Sequence, residues 1–271
     1  MNLTVLMRGG GDLASAVIQK LYNTGCRVIV CDLEHPSCVR RTVAFCNAVY
    51  EGEWTIEGIT ARRVDTLDAI EPTLTEGIVP VTTLPDRDVR DAVKPDVFID
   101  ATISKRDPDY DRSWAPLVIG LGPAIEAGRH AHVVIETKRG HHLGRLIREG
   151  YATPNTGIPG TIIGFNKERV LRAPHAGTVT HIREIGDHVE QGDPILKVDE
   201  TPVTAKIPGI VRGLIAAGYA AREGQKVGDV DPRNEEIACR TISDKGRNIA
   251  GGVLEAIVTH FFHDGCPAHE G

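Results

Sequence analysis

One stretch of the chain contains the same pattern twice, and this repeat constrains the fold more than any other feature of the 271-residue sequence. Residues 173–199 and 205–231 carry glycines, apolar residues and an aspartate at the same offsets. The matched pairs are Ala173 with Ala205, Gly177 with Gly209, Val179 with Val211, Gly186 with Gly218, Gly192 with Gly224, Val198 with Val230 and Asp199 with Asp231. Glycines at fixed offsets between short apolar runs are typical of a strand-and-turn unit that is built twice. The repeat predicts a small all-β domain over residues 170–233.

The repeat resembles the two-fold barrel-sandwich of biotinyl and lipoyl carrier domains, which modify a lysine at the tip of the hairpin that joins the two halves. Here the tip spans residues 198–203 and contains no lysine. The nearest lysines, Lys197 and Lys206, are expected on the flanking strands. We therefore predict a barrel-sandwich hybrid domain without a carrier lysine, and hence without biotin or lipoate.

Composition and charge argue against several classes of function. The net charge is −6 and no basic block occurs, which argues against nucleic acid as a partner. No apolar run reaches the ~18 residues that a membrane span needs. Residues 1–7 read as a first strand, because they lack the charged segment and cleavage site of a signal peptide. We therefore expect a cytoplasmic protein without a membrane partner.

The cysteines show no metal-binding spacing. None of them forms a Cys-x-x-Cys pair, and in a reducing compartment we expect free thiols. A zinc site made of the second, third and fourth cysteines is disfavoured because their spacings are too long for a knuckle. No metal site is predicted. The six cysteines are Cys26, Cys31, Cys38, Cys46, Cys239 and Cys266.

Residues 1–165 alternate continuous apolar strands with helical patterns. A strand over residues 3–8, a helix ending at residues 23–25 and a strand over residues 27–32 make one βαβ unit. Such alternation predicts an α/β domain with a Rossmann-like, doubly wound parallel sheet. Further elements are expected as a helix over 38–50, a hairpin turning at Glu57-Gly58, strands at 78–81, 96–100 and 132–136, and a helix over 86–94. A C-terminal helix over 240–262 is expected to pack back on another domain.

A glycine-rich turn follows the first strand and has the form G-x-G-x-x-A. In a strand–turn–helix setting such glycines allow close approach to a diphosphate, and an acid at the end of the second strand accepts hydrogen bonds from ribose. The acid on the first helical turn would repel phosphate, and the arginine before the turn is expected to neutralise it. The alternative is a turn that serves only close packing. The predicted nucleotide-binding residues here are Arg8, Gly9, Gly10, Gly11, Asp12 and Asp32.

Polar residues also leave the ends of later strands, where ligands of open α/β sheets lie. Glu136, Arg139 and His141 follow one buried strand within six residues and are the candidates for a catalytic role. We expect their side chains to face the same cavity as the glycine turn. The alternative is a set of helix caps and ion pairs. No known catalytic signature accompanies them, so whether the chain is an enzyme stays open. Further cofactor-binding candidates are Gly120, Gly122, Arg233 and Arg247.

Several long motifs together resemble one family, the YqeB-type accessory proteins of the selenium-dependent molybdenum hydroxylase system. The resemblance covers almost the whole chain. That family often has Asn in place of Lys138 and Ala in place of Gly246, so neither is an invariant catalytic group. The motifs lie at residues 8–14, 39–45, 120–123, 135–141, 156–160, 228–233 and 244–256.

The resemblance implies an accessory factor in the maturation of a molybdenum hydroxylase. Its expected partners are the apo-hydroxylase and other maturation proteins, and a homo-oligomer stays open. Its expected cargo is a nucleotide-bearing molybdenum cofactor, such as molybdopterin dinucleotide, or selenium for that cofactor. Two alternatives remain: an NAD(P)-dependent oxidoreductase, and a non-catalytic scaffold with a vestigial nucleotide site. Arginines around an anion would favour the first reading, whereas an apolar slot beside the glycine turn would favour NAD(P).

Overall fold

The computed structural model describes residues 1–154 and 160–262, and its largest element is a nine-stranded sheet. Its strands are β1 (Thr4–Arg8), β2 (Arg27–Cys31), β3 (Glu53–Ile56), β4 (Ile59–Arg63), β5 (Val79–Thr82), β6 (Val97–Asp100), β7 (Leu117–Leu121), β9 (Val133–Ile135) and β10 (Leu146–Ile147). The order across the sheet is β10-β9-β7-β6-β1-β2-β5-β4-β3. Neighbours are parallel except at the edges, where β3–β4 and β9–β10 are antiparallel. A separate pair joins β8 (Glu126–Ala127) to β11 (Gly150–Tyr151).

The interiors of the central strands are apolar because both faces of the sheet are covered. In β1, Val5 and Met7 belong to one core, whereas Leu6 belongs to the core on the opposite face. This alternation follows from the two-residue period of a strand. The helices are α1 (Asp12–Asn23), α2 (Ala48–Glu51), α3 (Ile70–Thr75), α4 (Asp86–Val93), α5 (Ile237–Arg240) and α6 (Asp244–Phe262).

The C-terminal helix α6 packs against α1, and its apolar residues join the core of the large sheet. Ile249, Val253 and Ile257 recur at helical spacing, are fully buried and join the same core as Val5 and Met7. No helix in the described part of the chain is both long and apolar enough to cross a bilayer.

The remaining strands form two four-stranded antiparallel sheets, ordered β12-β19-β17-β14 and β16-β15-β13-β18. They reproduce the repeat of the sequence, since β13, β14 and β15 recur as β17, β18 and β19. The halves exchange strands: β14 pairs with β17, and β18 pairs with β13. The strands are β12 (Val170–Arg172), β13 (Gly177–His181), β14 (His188–Val189), β15 (Pro194–Val198), β16 (Thr201–Thr204), β17 (Gly209–Leu214), β18 (Ala220–Ala221) and β19 (Lys226–Asp231).

The repeated glycine and aspartate of each half lie in contact. A Cβ on Gly177 would lie 2.2 Å from the carboxylate of Asp199, and one on Gly209 would lie 2.5 Å from the carbonyl oxygen of Asp231. The repeat therefore keeps glycine at these two positions because a neighbouring aspartate occupies the space. Lys197 lies within β15 and Lys206 follows β16, so neither is at the tip of the β15–β16 hairpin.

The prediction of a Rossmann-like doubly wound domain followed by a barrel-sandwich domain is wrong. The large sheet is mixed, with antiparallel strands at both edges. Residues 101–116 and 122–132, all described, link β6 to β7 and β7 to β9 without the α-helix that a doubly wound sheet requires. The C-terminal strands form two separate sheets, each with one strand from outside the repeat.

The helix predicted over residues 38–50 is also wrong. This segment forms two 3-10 turns and the single turn of α2. Arg40 makes a backbone bridge to Leu214, and the Cys46 N–H donates to the carbonyl of Gly10 at 2.9 Å. Tertiary partners thus take backbone groups that a helix would use. Residues 263–271, which include Cys266, and most of the motif at residues 156–160 lie outside the described residues.

Candidate functional site

The glycine turn after β1 borders a cavity of about 870 Å³, which we call the glycine-turn cavity. Four of the residues predicted to bind a nucleotide line it, namely Arg8, Gly9, Gly11 and Asp32. Gly9 has φ +92°, a conformation that favours glycine, and its N–H donates to the carbonyl of Cys31 at 2.7 Å. The β1–α1 turn supplies Arg8, Gly9 and Gly11, and the parallel pairing of β1 with β2 places Asp32 beside them.

The charges of this cavity oppose a diphosphate. The Gly10 N–H already donates to the carboxylate of Asp32 at 2.7 Å. Burial raises the pKa of Asp32, and the N–H groups of Gly10 and Leu33 oppose that rise only in part. Arg8 is itself paired with Asp86 and Asp109. The carboxylates that line the cavity are Asp32, Glu34, Asp86, Asp100, Asp107 and Asp109, against the cations Arg8 and Arg106 among the described residues.

A second cavity, of about 610 Å³, has the opposite charge, and we call it the arginine-lined cavity. It lies between the start of α1, the start of α6 and strands β17 and β19 of the small sheets. Among the described residues, eight cations and three carboxylates line it. The cations are Arg40, Lys138, Arg139, Arg169, Arg212, Lys226, Arg233 and Lys245, and the carboxylates are Asp12, Asp229 and Asp244.

Two buried aspartates of β19 hold several of these arginines. Asp229 and Asp231 are two residues apart, so they lie on one face of the strand. Arg169 Nη2 lies 3.2 Å from Asp229 Oδ2, and Arg212 Nε lies 3.5 Å from Asp231 Oδ2. Arg233 Nη2 donates to Asp231 Oδ2 at 2.6 Å. Alternate positions of one strand thus fix the arginine side chains.

Two of the arginines are buried without being fully hydrogen-bonded. Arg40 and Arg169 are 7% and 4% exposed, and the Nε of each has no hydrogen-bond partner within residues 1–154 and 160–262. The Arg40 Nη2 atom is paired, at 2.9 Å to the carbonyl of Ala238. An unpaired N–H on a buried guanidinium is costly, so such a group usually has an acceptor. A negative charge bound in the cavity would offset part of this cost.

Crowding of like charges in the cavity also favours a bound anion. Burial lowers the pKa of the Arg212 guanidinium, and the neighbouring Arg40 lowers it further. Burial also lowers the pKa of Lys245, and Arg139 adds to the effect against the carboxylate of Asp12. Each cation would be stabilised by a bound negative charge. The geometry and the electrostatics therefore both make this cavity suited to an anion.

The three residues predicted for a catalytic role do not share a cavity with the glycine turn. Glu136, Arg139 and His141 line three different cavities. Glu136 is buried and accepts hydrogen bonds from the N–H of Lys138 and Thr153 at 2.7 and 2.8 Å. Arg139 lines the arginine-lined cavity and donates to both oxygens of Asp244 at 2.7 and 3.0 Å. The expected common cavity is therefore not formed.

The other predicted residues divide between binding positions and packing. Asp12 and Arg233 line the arginine-lined cavity. Gly120 is packed against Ile125, 2.6 Å from the position of a Cβ, and Gly122 has φ +102° beside Ile103. Gly10 similarly packs on Cys46. Arg247 lies away from both cavities and binds Glu57 at 2.8 and 2.9 Å, which fastens α6 to the β3–β4 hairpin.

Sequence reasoning missed the arginines that are most deeply buried in the cavity. Arg40 lies inside the motif at residues 39–45, which by itself indicates no role for it. Arg212 carries a usable signal, because it is a lone arginine in β17 between apolar residues that are fully buried. Arg169 gave no signal, since it follows a segment of irregular sequence. Buried arginines in a strand point to buried acids or to an anion.

Comparison with known proteins relates this chain to one curated protein. No protein-family model matches it. The "Uncharacterized protein YqeB" of Escherichia coli (strain K12) is 44% identical over 265 residues, which are 97% of this chain and 49% of that protein. The chain thus spans about half the length of the curated relative it matches. The predicted resemblance to YqeB-type proteins is confirmed.

Solved structures show only distant likeness. An aspartoacylase family protein from Mesorhizobium loti is 13% identical, with 85% of each chain covered and a TM-score of 0.27. A succinylglutamate desuccinylase/aspartoacylase from Rhodobacter sphaeroides is 14% identical, with 84% of this chain and 85% of that chain covered and a TM-score of 0.25. At these TM-scores the likeness transfers neither a fold nor an activity to this chain.

Proposed function

This chain is a YqeB-type protein along 97% of its length, and on that premise we propose that it is an accessory protein that holds a phosphate-bearing ligand in the arginine-lined cavity. One observation carries the proposal. Arg40 and Arg169 are buried in a cavity with an excess of cations, and their Nε atoms lack acceptors in the described part of the chain. A bound anion would offset the excess of positive charge around these guanidinium groups.

Phosphate is favoured over a single carboxylate by the number and type of the cations. Arg40, Arg169 and Arg212 are guanidinium groups, whose planar forks bind phosphate oxygens in a two-pronged manner. A cavity of about 610 Å³ is in the range of small-molecule sites and exceeds what one inorganic ion needs. A diphosphate with an attached organic group matches both the charge and the volume.

The resemblance to the selenium-dependent molybdenum hydroxylase system supplies the candidate ligand. Molybdopterin dinucleotide is a nucleotide-bearing cofactor with a diphosphate, and Arg40, Arg169 and Arg212 would hold its phosphates. When bound, that cofactor would supply the molybdenum chemistry of a hydroxylase, while the residues of this chain bind and orient it. The proposed role is therefore to handle the cofactor, or selenium for it, during maturation of an apo-hydroxylase.

The alternatives receive less support from the site. An NAD(P)-dependent oxidoreductase would place a diphosphate at the glycine turn, but the Gly10 N–H there already donates to Asp32 and Arg8 is neutralised by Asp86. A non-catalytic scaffold would have no use for buried arginines that lack acceptors. Neither alternative requires a ligand in the arginine-lined cavity, so ligand binding there distinguishes both of them from the proposal.

The test is calorimetric titration of the purified chain with pyrophosphate, nucleoside diphosphates and molybdopterin dinucleotide. Arg40→Lys and Arg169→Lys keep the charge, and so avoid leaving a buried carboxylate unpaired, but they lose the Nε donor and the fork. We expect each to weaken binding at least tenfold. Arg247→Lys, at an ion pair outside the cavity, is the matched control and should bind like the wild type. Equal binding by all three variants, or no binding by the wild type, would refute the proposal.

A second test addresses the proposed setting. In cells that depend on this protein, Arg169→Lys should reduce the yield of active molybdenum hydroxylase while Arg247→Lys leaves it unchanged. Both variants should be present at wild-type levels. Full maturation with Arg169→Lys would contradict the maturation role, whereas phosphate binding in the purified chain would still be judged by calorimetry alone.

A further inference from the structure

Two cysteine thiols lie side by side at the glycine-turn cavity. The Sγ atoms of Cys38 and Cys46 are 2.9 Å apart, and both residues line the cavity. They come from different environments: Cys38 is half-buried on the irregular segment after β2, and Cys46 is buried in the 3-10 turn Phe45–Asn47. An accessible thiol beside a fixed one is the arrangement of redox-active cysteine pairs.

Cys46 is held firmly in place. Its N–H donates to the carbonyl of Gly10 at 2.9 Å, and the preceding N–H of Phe45 donates to Ser15 Oγ at 2.8 Å. Gly10 packs so closely that a Cβ there would lie 3.2 Å from the Cβ of Cys46. The turn is therefore anchored to the β1–α1 unit, and its thiol stays at the wall of the cavity.

The two thiols also differ in how readily they react with an external reagent. The hydrogen bond to Cys38 and burial both raise the pKa of Cys46, which keeps it a protonated thiol. Cys38 is more accessible, and a small molecule can approach it through the glycine-turn cavity of about 870 Å³. The reactive form of cysteine is the exposed thiolate. Cys38 is thus the residue that meets an external reagent.

We propose that Cys38 and Cys46 are a reversible dithiol–disulfide pair whose co-substrate is a low-molecular-weight disulfide of the glutathione class. The Cys38 thiolate attacks one sulfur of the co-substrate, so a mixed disulfide forms and one small thiolate leaves. Cys46 then loses its proton and attacks Cys38 Sγ, which releases the second small thiol. Two protein thiols are oxidised to one disulfide, and one small disulfide is reduced to two thiols.

This inference does not depend on the proposed ligand, because it concerns a different cavity and a covalent reaction. The other described cysteines serve as internal controls for the reactivity of this pair. Cys31 lines the same cavity but is buried, and burial raises its pKa. Cys239 is buried and its thiol faces the carbonyl of Val211 at 3.7 Å. Cys26 is likewise buried, and none of these three thiols is expected to react before Cys38.

The experiment exposes the full chain to oxidised glutathione, blocks remaining thiols by alkylation and maps the peptides by mass spectrometry. Trypsin leaves Cys31 and Cys38 in one peptide, because the next cleavage points are Arg27 and Arg40. A glutamate-specific protease also cuts after Glu34, which separates the two cysteines. We expect a Cys38–Cys46 cross-link, the loss of two hydrogens from the intact mass, and full reversal by dithiothreitol.

Three variants make the outcome decisive. Cys38→Ser should form no cross-link, Cys46→Ser should stop at a stable glutathione adduct on Cys38, and Cys31→Ser should cross-link like the wild type. Should Cys46→Ser fold poorly, an arsenical that binds dithiols gives the same answer, with one equivalent bound by the wild type and none by Cys38→Ser. A wild-type chain that stays reduced, that keeps glutathione, or that cross-links through Cys31 would overturn the proposal.

Discussion

Arg169 Nη2 lies 3.2 Å from Asp229 Oδ2 in a pair that is almost completely buried, and the register of two strands creates this contact. Val170, the first residue of β12, is the partner of Asp229 on β19. The arginine just before β12 therefore reaches a carboxylate of the small sheet, while its Nε is left unpaired within the described residues. A packing relationship inside the small sheets thus supplies one wall of the arginine-lined cavity.

The first prediction concerns this carboxylate. Asp229→Asn removes the negative charge that Arg169, Arg212 and Lys226 share, and we expect a loss of about 3–5 kcal/mol of unfolding free energy because buried cations lose their partner. Pyrophosphate should restore more stability to this variant than to the wild type. Chemical denaturation with and without pyrophosphate measures both effects.

The control for that experiment is Asp65→Asn, which breaks the exposed ion pair with Arg63. Exposed pairs contribute about 0–1 kcal/mol, so this variant should resemble the wild type. If Asp229→Asn were no less stable than the control, the buried cluster would not need its carboxylate.

The second prediction separates the glycine turn from the anion site. Gly11 has φ −66° and no atom within 4 Å of a Cβ, but it is the N-cap of α1, where alanine is less favourable than glycine. Gly11→Ala should therefore change stability by no more than about 1 kcal/mol in either direction. Pyrophosphate binding should also be unchanged, because the phosphates are expected in the other cavity. Weakened binding by Gly11→Ala in calorimetry would instead place the diphosphate at the glycine turn.

Gly10→Ala is the companion variant and tests the packing of the same turn. Its Cβ would lie 2.9 Å from the backbone nitrogen of Cys46 and 3.1 Å from Val30, so we expect a loss of about 1–3 kcal/mol on denaturation. If Gly10→Ala were as stable as Gly11→Ala, the turn would be able to move away from Cys46.

The sequence predicted the elements whose pattern is local and missed the site that depends on docking. Strand β1, helix α1 and strand β2 follow from apolar runs and a glycine turn, and the β3–β4 hairpin turns at Glu57-Gly58 as expected. The repeat likewise predicted strands that recur in order. Local periodicity decides such elements, because each one buries its own apolar face.

The arginine-lined cavity could not be predicted in this way. Arg40, Arg169, Arg212 and Lys245 are far apart in the chain and meet only because the small sheets and α6 pack beside the start of α1. The helix predicted over residues 38–50 was wrong for a related reason. The backbone of that segment pairs with Gly10 and Leu214 rather than within its own helical turns. Tertiary contacts overrode the local pattern in both cases.

The third prediction tests the packing of α6. A Cβ on Gly252 would lie 2.2 Å from the carbonyl oxygen of Gly144, so Gly252→Ala should cost about 1–3 kcal/mol. Its neighbour Gly251 has nothing within 4 Å, and Gly251→Ala should gain about 0.5–1 kcal/mol from helix propensity. Thermal unfolding of both variants provides the comparison, and equal midpoints would contradict the close contact between α6 and the turn at residue 144.

The fourth prediction concerns pH and Glu136. Burial alone would raise the pKa of this carboxyl, but hydrogen bonds from Thr153 and Lys138 lower it overall. A folded pKa below the unfolded value of about 4.3 stabilises the protein above that pH, and the stability is lost as pH falls through the folded pKa. Glu136→Gln cannot titrate, so it should be less stable at pH 7 yet lose less stability between about pH 5 and pH 3. Glu255→Gln, on the exposed side of α6, should follow the wild-type curve in urea denaturation. Parallel curves for Glu136→Gln and the wild type would show that the carboxylate is not held by these donors.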